Sequence, residues 1–386
     1  MPGSCLDLFA GAGGLSLGAK WAGLESSVAI EIDAWASETY RENHPETKLW
    51  EASLSEISDS DLKGLSGIDI VMGGPPCQGF SISASNRRDP NDPRNALYRE
   101  FLRAIKAVRP RAVLIENVPE IRRFRNENGQ LILDEIVEEL SMLGYSSVHA
   151  LLNAADFGVP QNRLRFFLLA RREKSPPRFT NNSHFEHPTL IETPYLTLWD
   201  AISDLPEVKP RELSEDAVLP YQKEPENEYQ RLLREGCLNV SNHIPMRHTK
   251  STVEKFSRIG FKDDLSKKIA GTQQRKNRGK ASTTVYHQNH RRLSPNNPSK
   301  TITASFYSSF IHPYQHRNLT LREAARIQSF PDSFVFRGKR TRLSLKILER
   351  KGLHEDLHLD QFNQVGNAVP PRLAQRLIEG LIENGN

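Results

Sequence analysis

The feature that most constrains this chain is a regular alternation of short apolar segments with amphipathic ones across nearly its first half. The apolar segments are predicted to be strands and fall at residues 5–9, 28–32, 68–72, 112–116, 147–152 and 165–170. Helical spacing lies between them, up to about residue 21 and at residues 34–43, 95–108 and 131–143. Strands joined to helices by short turns predict an α/β fold, a doubly wound and mainly parallel sheet with helices on both faces. Ligands of such sheets bind at the carboxyl ends of the strands.

After about Arg172 the sequence changes character, and this change predicts a second, smaller domain. Pro, Asn, Ser and His become more frequent, and strands are harder to recognise. Residues 203–228 are acidic, whereas residues 241–300 hold 14 Lys or Arg against 3 Asp or Glu. A basic stretch is either a solvated surface or a nucleic-acid contact, and composition alone leaves both open. Helical spacing returns at residues 321–328 and 371–383.

The composition also excludes several classes of protein. No apolar run approaches the roughly 18 residues that a membrane span needs, and Asp7 interrupts the first apolar segment, so we expect no signal peptide. Cys5, Cys77 and Cys237 lie far apart and form neither a CxxC pair nor a zinc-ligand spacing. The sequence therefore predicts a cytoplasmic protein without a disulfide framework and without a metal site.

The segment LDLFAGAGG at residues 6–14 joins the first strand to the first helix. Its glycines let the backbone approach a ligand closely, and the start of the helix offers free amides. The spacing is not GxGxxG, and Phe9 stands where a pyrophosphate needs open backbone, which argues against a nicotinamide dinucleotide. The next strand ends near Glu31, whose carboxylate could accept hydrogen bonds from ribose hydroxyls. A tight turn beside a solvated glutamate is the plain alternative.

The segment GGPPCQGFS at residues 73–81 is the most informative, because it places Cys77 in a loop directly after a strand. A lone cysteine is more often a small buried apolar residue than a nucleophile. Proline, glutamine and glycine flank this one, however, and that is poor core sequence. The pattern favours a reactive thiol at the ligand edge of the sheet.

Two further motifs lie at the ends of predicted strands, one where a strand ends and the other where a strand begins. IENV at residues 115–118 puts Glu116 at the end of an apolar strand, where a carboxyl group is costly unless it is paired or functional. QNRLR at residues 161–165 spaces Arg163 and Arg165 two residues apart, so both are predicted on one face. Arginine suits recognition of planar carbonyl or phosphate groups. For each motif, ordinary surface charge is the alternative.

Together these four motifs resemble those of the cytosine C5 DNA methyltransferases of bacterial restriction–modification systems. Two more motifs of that family follow in the usual order, NLTLREAARIQSFPD at residues 318–332 and QVGNAVPP at residues 364–371. The resemblance implies a Rossmann-like class I methyltransferase fold. It divides the chain into a catalytic and cofactor-binding domain at residues 1–178, a target-recognition domain at residues 179–361, and a return to the first domain at residues 362–386.

The resemblance also implies S-adenosylmethionine as the cofactor, converted to S-adenosylhomocysteine, and no metal. Glu31 would bind the ribose, Ile32 would lie against the adenine, and Asn367 would reach the site from the C-terminal motif. The full set of implied cofactor-binding residues is Phe9, Ala10, Gly11, Gly14, Glu31, Ile32, Pro75, Leu97 and Asn367. One position departs from the family, since Ser53 stands where an aspartate usually meets the adenine amino group, and this puts the contact there in doubt.

The implied chemistry uses four catalytic residues, Cys77, Glu116, Arg163 and Arg165. The Cys77 thiolate would add to C6 of cytosine, and Glu116 would protonate or hydrogen-bond N3. Arg163 and Arg165 would hold the O2 carbonyl and neighbouring groups, with Arg165 the favoured base contact. The base that removes the C5 proton is not identifiable from the sequence.

The implied partner is duplex DNA, with the target cytosine flipped out of the stack. Gln78 and Ser81 are predicted to hold the displaced strand, and Arg291 and Arg292 to contact DNA within the basic stretch. We expect a monomer, with no membrane partner, that can share its recognition sequence with a cognate restriction endonuclease without contacting it.

Three alternatives differ in substrate or in chemistry. A tRNA cytosine methyltransferase would share most motifs, but it carries a shorter insert than residues 172–291 and a Cys-Phe-Thr tripeptide that this chain lacks. A catalytically silent binding module would show damage at Cys77, Glu116 or Arg165, and none is present. A nicotinamide-dependent oxidoreductase would explain only the first loop. We therefore favour the DNA enzyme.

Overall fold

The computed structural model describes residues 3–76, 97–172, 176–214, 216–261, 276–277, 280–281, 290–341, 345–353 and 356–383. Its centre is a seven-stranded sheet in the order β3-β2-β1-β4-β5-β8-β6. Every strand runs in the same direction except β8, which pairs antiparallel with both of its neighbours. The strands are β1 Ser4–Leu8, β2 Glu25–Ile30, β3 Lys48–Trp50, β4 Ile70–Gly73, β5 Ala112–Asn117, β6 Ser146–Asn153 and β8 Leu164–Arg171. The predicted mainly parallel α/β sheet is thereby confirmed.

Helices cover both faces of this sheet, and their apolar sides form two buried clusters with it. The helices before and within the sheet region are Gly14–Trp21, Ala34–Asn43, Asp59–Lys63, Leu97–Val108 and Ile132–Met142. Three short 3-10 helices lie at Leu54–Glu56, Pro119–Arg123 and Ala154–Phe157. Predicted and observed bounds agree within about three residues, as expected where element ends fray. The strand Lys48–Trp50 was missed because three residues are too few to show a period.

The final helix, Pro371–Glu383, packs on the first helix, Gly14–Trp21, and so belongs to the same core as the sheet. Gly18 makes this contact possible, since a Cβ atom there would lie only 2.5 Å from Cβ of Ala374. Leu373, Leu377 and Ile378 are buried in the same cluster. The end of the chain therefore lies against its beginning.

The second region comprises the elements between Leu198 and Asn367. It is built from short helices and strands around its own apolar cluster, to which Phe306, Phe330 and Phe334 contribute. Its helices are Leu198–Ile202, Glu228–Arg234, Lys250–Ser257, Phe306–Ser309, Leu321–Ile327, Leu345–Lys351 and Gln361–Asn367. Its strands have two residues each, namely β9 Leu219–Pro220, β10 Asn239–Val240, β11 Lys276–Asn277, β12 Lys280–Ala281, β13 Arg291–Arg292, β14 Ser299–Lys300 and β15 Phe310–Ile311. Strand β14 pairs with β7, Gln161–Asn162, and joins this region to the sheet.

Buried ion pairs replace extended sheet structure as the framework of the second region. The Arg326 guanidinium binds Asp204 and Asp332, with shortest distances of 2.9 Å and 2.6 Å. Arg317 pairs with Glu323 at 2.6 Å. A buried pair of this kind is costly to break, because one unpaired charge would remain in the interior. The motif NLTLREAARIQSFPD supplies most of these groups and is thus a structural element here.

None of the helices among the described residues is long and apolar enough to cross a membrane. Over the same residues, no group of three or more His, Cys, Asp or Glu side chains is arranged to hold a metal ion.

Candidate active site

The functional motifs meet at the carboxyl edge of the sheet. Leu8, the last residue of β1, is paired with Gly73 at the end of β4. Gly73 is in turn paired with Ile115, next to Glu116 at the end of β5. Three features therefore share one edge of the sheet, where ligands of parallel sheets bind. They are the first loop, the loop that leads to Cys77, and the residue Glu116.

The first loop forms a tight, left-handed turn around the Glu31 carboxylate. Phe9 and Gly11 have φ angles of 58° and 57°. The Gly11 amide donates to Oε2 of Glu31 at 2.7 Å, and the Asp33 amide donates to Oε1 at 2.8 Å. Burial raises the pKa of Glu31, whereas these two donors act in the opposite direction. The carboxylate is thus fixed in place before any ligand binds.

The space around this loop fits a nucleoside-like ligand. A Cβ atom at Gly11 would meet no atom of the described residues within 4 Å, its chain neighbours apart, so the backbone borders open space in this part of the structure. Ile32 follows Glu31 and is 66% exposed, although it is a large apolar side chain. An exposed apolar residue next to a fixed carboxylate is suited to an aromatic base and its ribose. Phe9 is half-buried and packs on the core beneath, and Ala10 is buried.

The surroundings of three other predicted cofactor-binding residues, Gly14, Leu97 and Asn367, differ from one another. Gly14 begins the first helix, and a Cβ atom there would lie 2.4 Å from the Val369 carbonyl oxygen, so its lack of a side chain serves packing against the C-terminal segment. Asn367 ends the helix Gln361–Asn367 and is exposed. Leu97 is half-buried at the start of its helix. Their contacts with a cofactor stay predictions.

Ser53 caps the short helix Leu54–Glu56, and its hydroxyl group lies 2.7 Å from that of Ser55. The Ser53 hydroxyl therefore has a hydrogen-bond partner within its own turn.

Asp7 is a buried polar residue near the first loop that sequence reasoning did not assign. Its Oδ2 atom accepts a hydrogen bond from the Ser16 hydroxyl at 2.7 Å, and Ser16 also contacts the Tyr40 hydroxyl at 2.7 Å. Burial raises the pKa of Asp7 to about 7. A carboxyl group within an otherwise apolar strand was the available signal.

Glu116 and Arg165 form the centre of the candidate catalytic site. Nε of Arg165 lies 3.2 Å from Oε1 of Glu116, and both side chains are largely buried. Burial raises the pKa of Glu116, and the charges of Arg165 and then Arg163 counteract that rise. A Cβ atom at Gly74 would lie 3.0 Å from Oε2 of Glu116, so the loop passes directly over the carboxyl group.

Asn117 anchors the start of the loop that carries the predicted nucleophile. Its Nδ2 atom donates to the Pro75 carbonyl at 2.9 Å, and Pro75 is buried. Cys77 follows two residues later and, with Gln78 and Ser81, lies outside the described residues. What the structure does describe is an approach to Cys77 that is held against the end of β5.

Arg163 does not lie where the sequence pattern predicted it. Its guanidinium is 1% exposed and donates to the carbonyl oxygens of Ile302, Gly366 and Ala368 at 2.8, 3.1 and 3.0 Å. Period-two spacing failed because Arg163 lies between β7 and β8 and not within a strand. Both Nη atoms of Arg163 are thus engaged inside the protein, which disfavours its predicted contact with the base. That contact stays a prediction.

Arg292 is likewise turned inward. It is 5% exposed and donates to the backbone carbonyls of Ile259 and His312, both at 2.6 Å, and to that of Phe256. These internal acceptors engage the guanidinium and disfavour a contact with phosphate, so the predicted contact of Arg292 with DNA stays a prediction. The neighbouring Arg291 is partly exposed in β13, and its contact with DNA stays a prediction.

The seven-stranded α/β sheet, in which β8 alone is reversed, has the topology of the Rossmann-like class I methyltransferase fold. The family model for C-5 cytosine-specific DNA methylases matches residues 3–383. The chain belongs to this family and is a DNA (cytosine-5-)-methyltransferase.

Individual relatives agree with this assignment. The chain is similar to the type II methyltransferase M.DdeI of Desulfomicrobium norvegicum, with 42% identity over 97% of this chain and 87% of the relative. It is similar to the type II methyltransferase M1.HphI of Haemophilus parahaemolyticus, with 34% identity over 98% and 86% of the two chains.

Among solved structures, a prophage-encoded E. coli protein described as a DNA modification methyltransferase has a TM-score of 0.74 and 26% identity over 99% of each chain. The Dnmt2 methyltransferase of S. pombe has a TM-score of 0.55 and 19% identity, again over 99% of each chain, and shows a shared fold alone.

Proposed function

We propose that this enzyme transfers a methyl group from S-adenosylmethionine to C5 of a cytosine within a specific duplex sequence, through a covalent bond between Cys77 and C6. The Glu116–Arg165 pair carries the proposal. It lies at the ligand edge of the sheet, beneath the loop that leads to Cys77. The fixed Glu31 carboxylate and the open space at Gly11 support a cofactor site at the same edge.

The proposed chemistry begins with the thiolate of Cys77. It adds to C6 of the cytosine, and the electron pair of the C5–C6 double bond becomes available at C5. C5 would then form a bond to the methyl carbon while the bond between that carbon and the sulfur of the cofactor breaks, and S-adenosylhomocysteine would leave. Loss of the C5 proton to a base, which the chain does not identify, expels the Cys77 thiolate and restores the aromatic ring.

Glu116 and Arg165 prepare the cytosine ring for this addition. Burial raises the pKa of the Glu116 carboxyl group and so favours its protonated form. Such a group can share its proton with N3, which makes C6 more electrophilic. Arg165 would keep Glu116 oriented and would donate to the O2 carbonyl. Because Arg165 counteracts the rise in the pKa of Glu116, the proton remains transferable.

The first loop and its neighbours would hold the cofactor, which supplies an electrophilic methyl group on a sulfonium centre. Glu31 would accept hydrogen bonds from the ribose hydroxyls, and Ile32 would pack on the adenine. The residues of the C-terminal motif around Asn367 would close the site, because the Val369 carbonyl already lies against Gly14.

The DNA would reach this edge with its target base flipped out, since C6 is shielded within a stacked duplex. Gln78 and Ser81 would hold the displaced strand, and the basic residues within 241–300 would contact phosphates. We expect a cytoplasmic monomer whose recognition sequence can be shared with an endonuclease. Residues 179–361 would form the target-recognition domain.

Incubation with labelled S-adenosylmethionine and random-sequence duplex DNA tests the reaction. We expect label in 5-methylcytosine with wild-type enzyme and none with Cys77→Ala. Cys237→Ser is the matched control for a second free thiol and should retain activity. Bisulfite sequencing of the product would then give the recognition sequence.

Duplex DNA that carries 5-fluorocytosine tests the covalent bond, because fluorine cannot leave as the C5 proton does. A protein–DNA adduct that survives a denaturing gel is expected for wild type and not for Cys77→Ala. In the labelling experiment, label in a parallel tRNA sample but not in DNA would overturn the assignment of DNA as the substrate. Methylated DNA without a trapped adduct would overturn the covalent step alone.

A further inference from the structure

We propose that Asp33 is a positioning residue for the cofactor site, which fixes the Glu31 carboxylate by joining the first loop to a segment of the second region. That segment is residues 356–360, here called the strap, which directly precedes the helix Gln361–Asn367. The inference rests on the proposed role of Glu31 as the acceptor of hydrogen bonds from the ribose. It extends that role to residues outside the proposed contact with the cofactor.

The backbone amide of Asp33 is one of the two donors that hold Glu31. It donates to Oε1 of Glu31 at 2.8 Å, and the Gly11 amide donates to Oε2 at 2.7 Å. Gly11 lies in a loop that borders open space among the described residues. The orientation of the Glu31 carboxylate therefore depends largely on how firmly Asp33 is held.

The side chain of Asp33 reaches in two directions. Its Oδ1 atom accepts from the Ala36 amide at 3.0 Å, which is the local cap of the helix Ala34–Asn43. Its Oδ2 atom accepts from the Leu359 amide of the strap at 2.8 Å, across 326 residues of sequence. Nδ1 of His358 lies 3.4 Å from the same Oδ2 atom, and the Asp33 side chain is only 13% exposed. One carboxylate therefore joins the start of this helix to the second region.

The strap is fixed from more than one side, so it can serve as an anchor. Nε2 of Gln364 donates to the Leu359 carbonyl at 2.9 Å, and the Thr39 hydroxyl donates to Oε1 of Gln364 at 2.6 Å. Lys339 pairs with Asp356 of the strap at 2.5 Å. The Leu359 amide is thus presented by a segment whose place is set by both parts of the molecule.

A helix cap alone does not account for this arrangement. Capping needs one acceptor oxygen, and serine or asparagine serves about as well as aspartate. The second oxygen of Asp33 is the one that leaves the helix and meets the strap, so each of the two amides has its own acceptor. Hydrogen bonds to a charged acceptor are about twice as strong as neutral ones. The aspartate therefore supplies a junction beyond what the cap requires.

The variant Asp33→Asn separates the junction from the cap. Its side chain keeps one acceptor oxygen for the helix, but it places an N–H donor opposite the N–H donor of Leu359. The matched control is Ser58→Ala, because Ser58 caps another helix of the sheet region, Asp59–Lys63, with its side chain. Loss of that cap weakens a helix without touching the junction at Asp33.

Isothermal titration calorimetry with S-adenosylhomocysteine measures the affinity of each protein without turnover. We expect Asp33→Asn to bind about tenfold more weakly, a loss of the size of one hydrogen bond to a charged group, and Ser58→Ala to bind as wild type does. Hydrogen–deuterium exchange of the unliganded proteins measures the positioning itself. The Gly11 amide should exchange faster in Asp33→Asn, because a loosened Glu31 carboxylate protects it less, and should be unchanged in Ser58→Ala.

A reciprocal measurement on the wild-type protein needs no variant and decides the matter if Asp33→Asn does not fold. Coupling between two sites acts in both directions. Saturation with S-adenosylhomocysteine should therefore slow amide exchange in the strap, at Leu359 above all. The helix Lys250–Ser257, elsewhere in the second region, is the internal control and should exchange as before.

Unchanged affinity or unchanged Gly11 exchange in folded Asp33→Asn would overturn the proposal, and so would an equal loss of affinity in Ser58→Ala. Strap amides that exchange equally with and without ligand would overturn it as well. A wild-type protein that binds no S-adenosylhomocysteine would count against the proposed function. The Gly11 exchange in the unliganded proteins would still decide the role of Asp33.

Discussion

At the scale of single residues, the site depends on how burial and neighbouring charge set one carboxyl group. Glu116 ends an apolar strand, where burial disfavours its ionised form, and Arg165 lies 3.2 Å away and favours that form. The balance of the two gives an acid that can hold a proton and release it. Glu31, which follows the end of β2, is instead held by two backbone amides and is suited to accepting hydrogen bonds.

Glu116→Gln should lower kcat by about 100-fold or more, because an amide cannot transfer a proton to N3. DNA affinity should change little, as Glu116 is largely buried. Single-turnover methylation and a binding titration measure the two effects. Glu139→Gln, an exposed position on the helix Ile132–Met142, is the control and should be fully active. Equal turnover in Glu116→Gln and wild type would contradict the assigned role.

At the scale of elements, the contact between the first and last helices joins the two ends of the chain next to the cofactor loop. Gly14 and Gly18 lie on the face of the first helix that meets Val369, Pro371 and Ala374. Glycine lowers intrinsic helix stability, but it lets two backbones approach closely. The C-terminal motif therefore reaches the first loop only because these two positions carry no side chain.

Gly18→Ala should destabilise the protein by about 2 kcal/mol despite the better helix propensity of alanine. The added Cβ would meet Cβ of Ala374 at 2.5 Å and the Pro371 carbonyl oxygen at 2.7 Å. Urea unfolding measures the change. The control is Lys20→Ala, an exposed position on the same helix, which should be nearly neutral. A stabilised Gly18→Ala variant would show that the helices can separate without cost.

At the scale of the whole molecule, buried polar groups hold the second region together. His243 illustrates this, since its ring nitrogens lie 2.8 Å from the Thr320 hydroxyl and 2.8 Å from the Pro206 carbonyl oxygen. Burial lowers the pKa of His243 from 6.5 to about 4. Because the unfolded chain takes up the proton first, stability from this residue is complete above pH 6.5 and is lost as the pH falls toward 4.

The stability gap between wild type and His243→Asn should therefore narrow on acidification. Asparagine cannot gain a charge, so the wild-type protein alone loses this contribution, which amounts to at most about 3 kcal/mol between pH 6.5 and pH 4. Denaturant unfolding of both proteins at a series of pH values measures the gap. A constant gap would mean that folding leaves the pKa of His243 unchanged.

Three features could be predicted from the amino-acid sequence alone. They are the parallel sheet, the order of its functional motifs and the edge of the sheet at which these motifs meet. Alternating apolar and amphipathic segments leave few other ways to bury the apolar residues, and the strand ends place Glu31, Gly73 and Glu116 together. The family followed from motifs whose residue types the chemistry requires. These properties are local, since each depends on residues that are near one another in the chain.

The directions in which Arg163, Arg165 and Arg292 face could be seen in the tertiary structure but not predicted from the sequence. Arg163 and Arg165 are two residues apart, yet one binds carbonyls of Ile302, Gly366 and Ala368 inside the protein and the other faces Glu116. Arg292 was predicted on the DNA and is buried among five backbone carbonyls, those of Phe256, Ile259, His312, Pro313 and Gln315. The physical reason is that a guanidinium turns toward the acceptors that folding brings to it. Those acceptors lie far away in sequence, so no local pattern reveals them.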